Sequence, residues 1–415
     1  MSLTPYRRVL DLPGVRTLTL VALLARVPVT AAGITLTLHV VLTLHRGYGA
    51  AGLVGGAFTV GAALGNPLLG RFVDRRGLRP MLVVTTVSAA VFWTVLPLLP
   101  YPVLPLVALV GGLLAIPIFS VIRQSLAALV PEDQRKPAYS MDSMSTELSF
   151  MTGPPLAVVA VTQLSTTIAV WAVGAAMVLA GVGLWRLDPP TRASHEERTG
   201  THVARRSWLR ARLIAVLLAA TTTTLILGGT DVSVVAVLKR SDELAFAGLV
   251  LSLWALYSMA GGFVYGGMRR SPHPLAIAVV LGVATVPVGL ATGWGWLALT
   301  LIPAGLLCAP ALAATADAVS RLVPASARGE AMGLYGSALT AGLALGAPLA
   351  GAIADRAGPA WAFATIGAVG AAVALVGLAI SRAHPGDDDV HNGHRVGEYA
   401  GASAPSAGLA PPDPR

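Results

Sequence analysis

Residues 125–141 read SLAALVPEDQRKPAYSM, and residues 318–334 read AVSRLVPASARGEAMGL. At an offset of 193, Leu129-Val130-Pro131 meets Leu322-Val323-Pro324, Arg135 meets Arg328, and Ala138 meets Ala331. The register persists into the next apolar run, where GPPLA at 153–157 meets GAPLA at 346–350. A register kept for about thirty residues is more than shared apolar composition produces, and it marks a duplicated unit.

Water is not the main solvent of this chain. Of its 415 residues, 55% are hydrophobic and 12% charged, with a mean hydropathy of +0.72. A soluble domain averages about 25% charged residues. Apolar runs between Arg, Pro and Gly clusters place six spans at 17–42, 50–70, 81–99, 103–126, 138–162 and 166–186. Six more follow at 213–238, 245–267, 274–293, 296–320, 329–353 and 359–381. Each approaches the roughly 20 residues that a membrane-crossing helix needs. Long continuous runs exclude a barrel, whose strands are short and alternating. The first span of each half repeats as well: Gly33, Val41 and Leu42 align with Gly229, Val237 and Leu238 at an offset of 196. The fold class is therefore an all-α integral membrane protein with twelve transmembrane helices in two parallel six-helix repeats. The halves are residues 1–187 and 213–381, joined by a linker at 188–212 and followed by a tail at 382–415.

Orientation follows from the basic residues. With the N-terminus inside, the outer loops hold Arg46, Lys239, Arg240 and Arg356, and Arg26 sits mid-span, which leaves 24 of 29 on the cytoplasmic side. That bias places both termini in the cytoplasm. It also accounts for the formal charge of +9 without nucleic acid, since no separate basic domain exists. The linker carries Arg192, Arg198, Arg205, Arg206, Arg210 and Arg212. Its RRSWLRARL stretch suits either a short helix along the lipid headgroups or a solvated connection. The tail is rich in Pro, Gly, Ala and Ser and is expected to be disordered, and no metal is expected at His384, His391 and His394. The opening MSLTPYRRVLDLPGVR stays polar too long for a cleaved leader and is expected to remain. Cys308 is the one cysteine, so no internal disulfide forms. Only Lys136 and Lys239 are lysines, and with abundant Ala and Gly that usage suggests a bacterial, high-GC source and hence a bacterial plasma membrane.

A charged turn also recurs. GRFVDRRG at 70–77 follows the second span and GAIADRAG at 351–358 follows the eleventh, and both fit G-x-x-x-D-R-x-G. Inverted three-helix repeats nested within each half put the same turn on opposite faces. The first copy resembles the loop between helices 2 and 3 of the major facilitator superfamily, G-x-L-A-D-R-x-G-R-R. The matching residues are Gly70, Asp74, Arg75, Gly77 and Arg79, with Phe72 and Leu78 departing. The chain is similar to that family across residues 15–381. In the second half the equivalent loop, GGMRRSPHP, keeps Arg269 and Arg270 but not the acid. The resemblance implies a rocking secondary transporter in which this turn forms a cytoplasmic gate. Asp74 would accept from the N-terminus of a neighbouring helix; the plainer alternative is that the turn sets topology and caps a helix. Exporters of the drug–proton antiport type carry G-x-x-x-G-P-x-x-G-G in helix 5. Ser149, Gly153, Pro154 and Ala157 resemble that signature, with Val158 departing. Close helix packing accounts for the same residues.

Ionisable residues inside spans are costly and mark function. Arg26, Glu147 and Asp231 are the candidates for substrate binding or proton coupling. The resemblance implies that Arg26 and Asp231 stand on cavity-lining helices, 1 and 7. Arg26 and Glu147 lie at similar depth and are expected to pair, whereas Asp231 has no basic partner in its own helix and is the better proton carrier. Arg123, Asp142 and Asp317 lie nearer the cytoplasmic ends and are expected to join Asp74 in a gate network. No G-x-x-x-x-G-K-[ST], G-x-S-x-G or H-E-x-x-H occurs. Neither ATP, cofactor, metal nor enzymatic activity is therefore expected. The expectation is a monomer among membrane lipids that exports a small, partly apolar molecule against entering protons. Uptake of a small solute such as a sugar or organic acid is the second expectation. A non-transporting sensor or scaffold is the third, and the mid-span charges weigh against it.

Overall fold

The computed structural model describes residues 3–193, 204–268 and 272–383. Arg198 of the linker, Arg269 and Arg270, and the tail from residue 384 with its three histidines lie outside the described residues. A short helix, α1 (Thr4–Leu10), precedes the first span, α2 (Val15–Leu38), which continues as one π-helical turn at His39–Thr43. The first half goes on with α3 (Tyr48–Arg76), α4 (Leu78–Val95), α5 (Leu104–Leu113), α6 (Ile118–Leu129), α7 (Arg135–Gln163) and α8 (Thr166–Leu187). The linker contributes one turn, α9 (Arg205–Trp208). The second half is α10 (Ala211–Arg240), α11 (Ala247–Gly267), α12 (Pro274–Thr285), α13 (Trp294–Leu322), α14 (Arg328–Ala357) and α15 (Pro359–Ala383).

These helices make twelve spans, with α5 and α6 sharing one. Ten spans are long and apolar enough to cross a membrane by length and composition. The other two are α12, which is short even with its 3-10 extension to Leu290, and α7, whose first half carries Arg135, Lys136, Asp142 and Glu147. Leu24, Leu98, Leu179 and Leu290 are each more than 70% exposed. Such a surface suits lipid tails.

The duplication shows in the packing. α2 packs on α7 as α10 packs on α14, α3 on α5 as α11 on α13, and α4 on α8 as α12 on α15. The shared register that revealed it has a concrete form. After Pro131 the chain makes one 3-10 turn, Glu132–Gln134, and enters α7 at Arg135. After Pro324 it makes the same turn, Ala325–Ala327, and enters α14 at Arg328. Proline suits a helix approach because it lacks an N–H and its φ is fixed. Further along, Gly153 brings α7 against α2 and Gly346 brings α14 against α10. A methyl at Gly153 would fall on Thr30 and the Val27 carbonyl, and one at Gly346 on the Leu225 carbonyl.

Both charged turns end alike. Gly77 has φ 89° and ψ 171°, and Gly358 has φ 94° and ψ 162°. Only glycine occupies that region without strain. The expected continuous span at 103–126, in contrast, is broken: α5 stops at Leu113 and α6 starts at Ile118. Pro117 has no N–H to give and pushes Ile116 out of the helical region. Ala115, Ile116 and Pro117 line the central cavity, which is where irregular backbone is tolerated at membrane depth.

Candidate functional site

The halves are joined at one face. α14 follows Ala327, which has no side-chain acceptor, so the N–H groups of its first turn lack a cap from their own chain segment. Asp74, near the end of α3, supplies one from the other half. Its Oδ1 accepts from the Gly329 N–H at 2.9 Å and its Oδ2 from the Glu330 N–H at 2.8 Å. Gln124 of α6 donates to the same Oδ1 at 3.3 Å. Gly70 permits the close approach, since a methyl there would fall on the Gly329 carbonyl. The buried Glu330 is held by Arg71 at 3.7 Å and by Arg205 of α9. Arg192 donates to the Asp74 carbonyl at 2.6 Å, so both ends of the linker are bonded to this junction. Arg79 pairs with Asp188 at 3.0 Å and stacks over Trp185, which orders the chain leaving α8. Arg75 is exposed and stands outside these bonds.

The equivalent junction in the repeat, α7 against α11, uses the opposite chemistry. Lys136 donates to the Met268 carbonyl at the end of α11. Tyr6 of α1 donates to the Phe263 carbonyl at 2.5 Å and the Gly262 carbonyl at 3.2 Å, with its ring stacked on Phe263. Burial pushes the Tyr6 hydroxyl up to about 12, so it remains a donor at physiological pH. Where an acid caps a helix start in one junction, a lysine and a phenol serve a helix end in the other.

Replacing Asp74 with asparagine keeps the shape but removes the charge and one of the two acceptors. The closed face is expected to weaken by about 1–2 kcal/mol. Spin labels at Arg186 and Arg382, at the ends of α8 and α15, should then report a second, longer separation. A distance distribution identical to the parent's would strip Asp74 of this role.

Deeper in the protein, three charges form one cluster. Arg26 of α2 donates to Asp142 Oδ1 through Nη2 and to the Asp142 carbonyl at 3.2 Å through Nη1. Arg123 of α6 donates from Nε to Asp142 Oδ2 at 3.0 Å. Arg26 is 0% exposed and Arg123 1%, so a single carboxylate serves two buried guanidiniums. They lie over the rings of Phe119 and Tyr335 respectively, each at 5.1 Å.

The expected pair of Arg26 with Glu147 does not form. Helical side chains lean toward the N-terminus of their own helix, so Arg26 reaches about one turn further down α7, to Asp142. Nor do Arg123, Asp142 and Asp317 join Asp74 in one network. The first two belong with Arg26, and Asp317 pairs with Arg321 on its own helix at 3.0 Å.

Beside this cluster, on the side away from Asp74, a cavity of about 600 Å³ separates the halves. Phe58, Phe119, Phe150 and Trp254 give it an aromatic wall, and its charged lining residues are Arg123, Glu147 and Asp231. Glu147 accepts from the Ser258 hydroxyl of α11 at 2.9 Å, and that hydroxyl accepts from the Ala309 N–H of α13 at 3.1 Å. Asp231 of α10 opens into the cavity and has no hydrogen-bond or ion-pair partner among the described residues. Both carboxylates line the same cavity. Among the described residues, the hydrogen bonds joining the halves run from the Glu147–Ser258 contact to the Asp74 face, and the opposite end is open. No group of three or more His, Cys, Asp or Glu in those residues is placed to hold a metal.

Ser258, Tyr6 and Glu330 escaped the motif reading. Glu330 alone had a signal, as the third residue of a helix whose start the repeat fixes.

Comparison with known proteins bears on the whole chain. A model of the Major Facilitator Superfamily matches residues 18–293 and 241–405. No curated protein matches by sequence. The human organic anion transporter MFSD10 (TETRAN) superposes with a TM-score of 0.71 at 17% identity, over 90% of this chain and 99% of that one. A bacterial homologue of the iron transporter ferroportin, in an outward-facing state, gives 0.69 at 16% identity, over 89% and 98%. At these identities the likeness is one of fold and does not extend to cargo.

Proposed function

The chain belongs to the Major Facilitator Superfamily, and from that premise we propose a secondary active transporter that exports a small, partly apolar molecule against proton entry. The observation that carries this reading is the cavity. Two carboxylates without cationic partners among the described residues face a mostly apolar space between two repeated halves, with Arg123 at its edge. Groups of that kind at membrane depth bind and release protons or charged cargo. Release of the Asp74 junction would let the halves rock, close the present opening and expose the cavity at the other face. The Gly153-Pro154 step, shared with the exporter signature, supports export over uptake. The protein acts as a monomer in the bacterial plasma membrane, with both termini and the Asp74 face in the cytoplasm; the cavity then opens outward.

The orientation has a direct test. Cys308 is 0% exposed, so introduced cysteines report alone. In intact cells, an impermeant maleimide is expected to label a cysteine at Asp242, beyond α10, and to spare one at Asp133, before α7. Labelling at 133 from outside would invert the topology.

Direction has another. Expressed in a bacterial host lacking its own exporters, the protein is expected to lower the accumulation of amphipathic dyes several-fold, and a protonophore should erase the difference. Raised accumulation would make this an importer. Unchanged accumulation, with no gradient-driven flux in vesicles, would make it a sensor or scaffold.

A further inference from the structure

Five ionisable groups set the charge at the centre of the protein. The Arg26–Asp142–Arg123 cluster is fixed by burial and hydrogen bonds, and it carries one net positive charge. Glu147 and Asp231 face the cavity beside it, and the described lining holds no further charge. The packed neighbours add none. Against Glu147, α11 and α13 present Ser258 and the buried Cys308, whose thiol donates to the Ala304 carbonyl. Over Arg123 lies Tyr335, whose hydroxyl donates to the Leu312 carbonyl at 2.9 Å.

The count then has three states. With both carboxylates ionised the centre carries one negative charge, with one protonated it is neutral, and with both protonated it carries one positive charge. While the cavity stands open, water screens any of these. To change faces the halves must close over it, water leaves, and an uncompensated charge becomes costly. A single proton gives a neutral loading. A monovalent cation with both carboxylates ionised gives another, and the two exclude each other.

A monoanion with both carboxylates protonated would also balance. Of the positive charges it would need, however, Arg26 does not reach the lining, and Arg123, which borders the cavity, is 1% exposed, already shares the Asp142 carboxylate and lies over Tyr335. The carboxylates, in contrast, are open to the cavity. A volume of about 600 Å³ suits a drug-sized molecule, and the aromatic wall favours a cation with a flat apolar body.

Resting on the proton-coupled reading above, we infer that the cargo is an amphipathic organic monocation, exchanged one for one against a proton with no net charge crossing the membrane. Tetraphenylphosphonium and tetraphenylborate provide the probe, because they share a shape and differ in the sign of charge. Purified protein is expected to bind labelled tetraphenylphosphonium saturably and to release one proton per cation bound in weakly buffered medium. Affinity should fall about tenfold per pH unit on the acid side, and tetraphenylborate should not displace the cation. Asp231→Asn should bind without proton release or not at all. In vesicles, where tetraphenylphosphonium would cross the lipid unaided, the slowly permeating monocation ethidium takes its place. Net of protein-free vesicles, a pH gradient of one unit is expected to drive about tenfold accumulation, and a potassium–valinomycin potential should leave that ratio unchanged. Absence of saturable cation binding, displacement by the borate, or flux that follows the potential would overturn the inference while pH-driven transport of another probe still stood. Loss of all pH-driven flux would instead overturn the proton-coupled reading beneath it.

Discussion

Asp142→Ala is expected to cost about 3–5 kcal/mol and with it most of the folded protein. The substitution leaves Arg26 and Arg123 buried side by side, two like charges with no carboxylate between them. Arg26→Leu should be far milder, because it leaves the Arg123–Asp142 pair neutral and hydrogen-bonded. Cys308 makes the measurement simple: it is the only cysteine and is fully buried, so a thiol-reactive dye reports unfolding on heating without any engineered label. Should the leucine variant unfold earlier than the alanine one, the shared-carboxylate account of the cluster is wrong.

Asp231→Asn is expected to reduce proton-driven flux to background while leaving yield and thermal labelling near the parent's. The separation is possible because Asp231 has no hydrogen-bond or ion-pair partner among the described residues to lose. Reconstituted vesicles assayed with and without a pH gradient decide the matter. Glu147→Gln should likewise lose its response to the gradient, although its amide oxygen can still accept from Ser258. Pairing with Arg26 would hold Glu147 ionised and make Asp231 the better carrier. With Arg26 on Asp142, Glu147 keeps only a hydroxyl donor, and the two carboxylates stand on nearly equal terms. A parental response to the gradient in the Asp231 variant would move the proton to Glu147.

What could be read from the sequence follows from how local each signal is. The span positions rest on hydropathy over about twenty residues, and the repeat rests on Pro131 and Pro324 keeping one register, so both needed nothing beyond the chain's own order. Gly77 and Gly358 were legible as turns for the same reason. Pro117 was in plain view, yet an apolar run with a proline inside reads as a span whether the helix bends or breaks. The partners were harder. Arg26 faces Asp142 because of a lean of about one helical turn, which depth along the sequence does not resolve. Ser258 and Tyr6 act only because α11 lies against α7 and α1, a neighbourhood set by the docking of the two halves. The exchange of an acid for a lysine and a phenol between the two junctions was invisible for the same reason, since no motif spans both partners.

The cap that Asp74 lends to α14 has a consequence for time rather than for shape. The amide hydrogens of Gly329 and Glu330 belong to the first turn of their helix and have no carbonyl of their own to bind; their protection comes from the other half of the molecule. Each opening of that face hands both amides to solvent, and each closing withdraws them. In heavy water they would therefore gain deuterium at a rate set by the fraction of time that face stands open. Two backbone hydrogens thus report the opening equilibrium of that face, with no label or mutation required to read it.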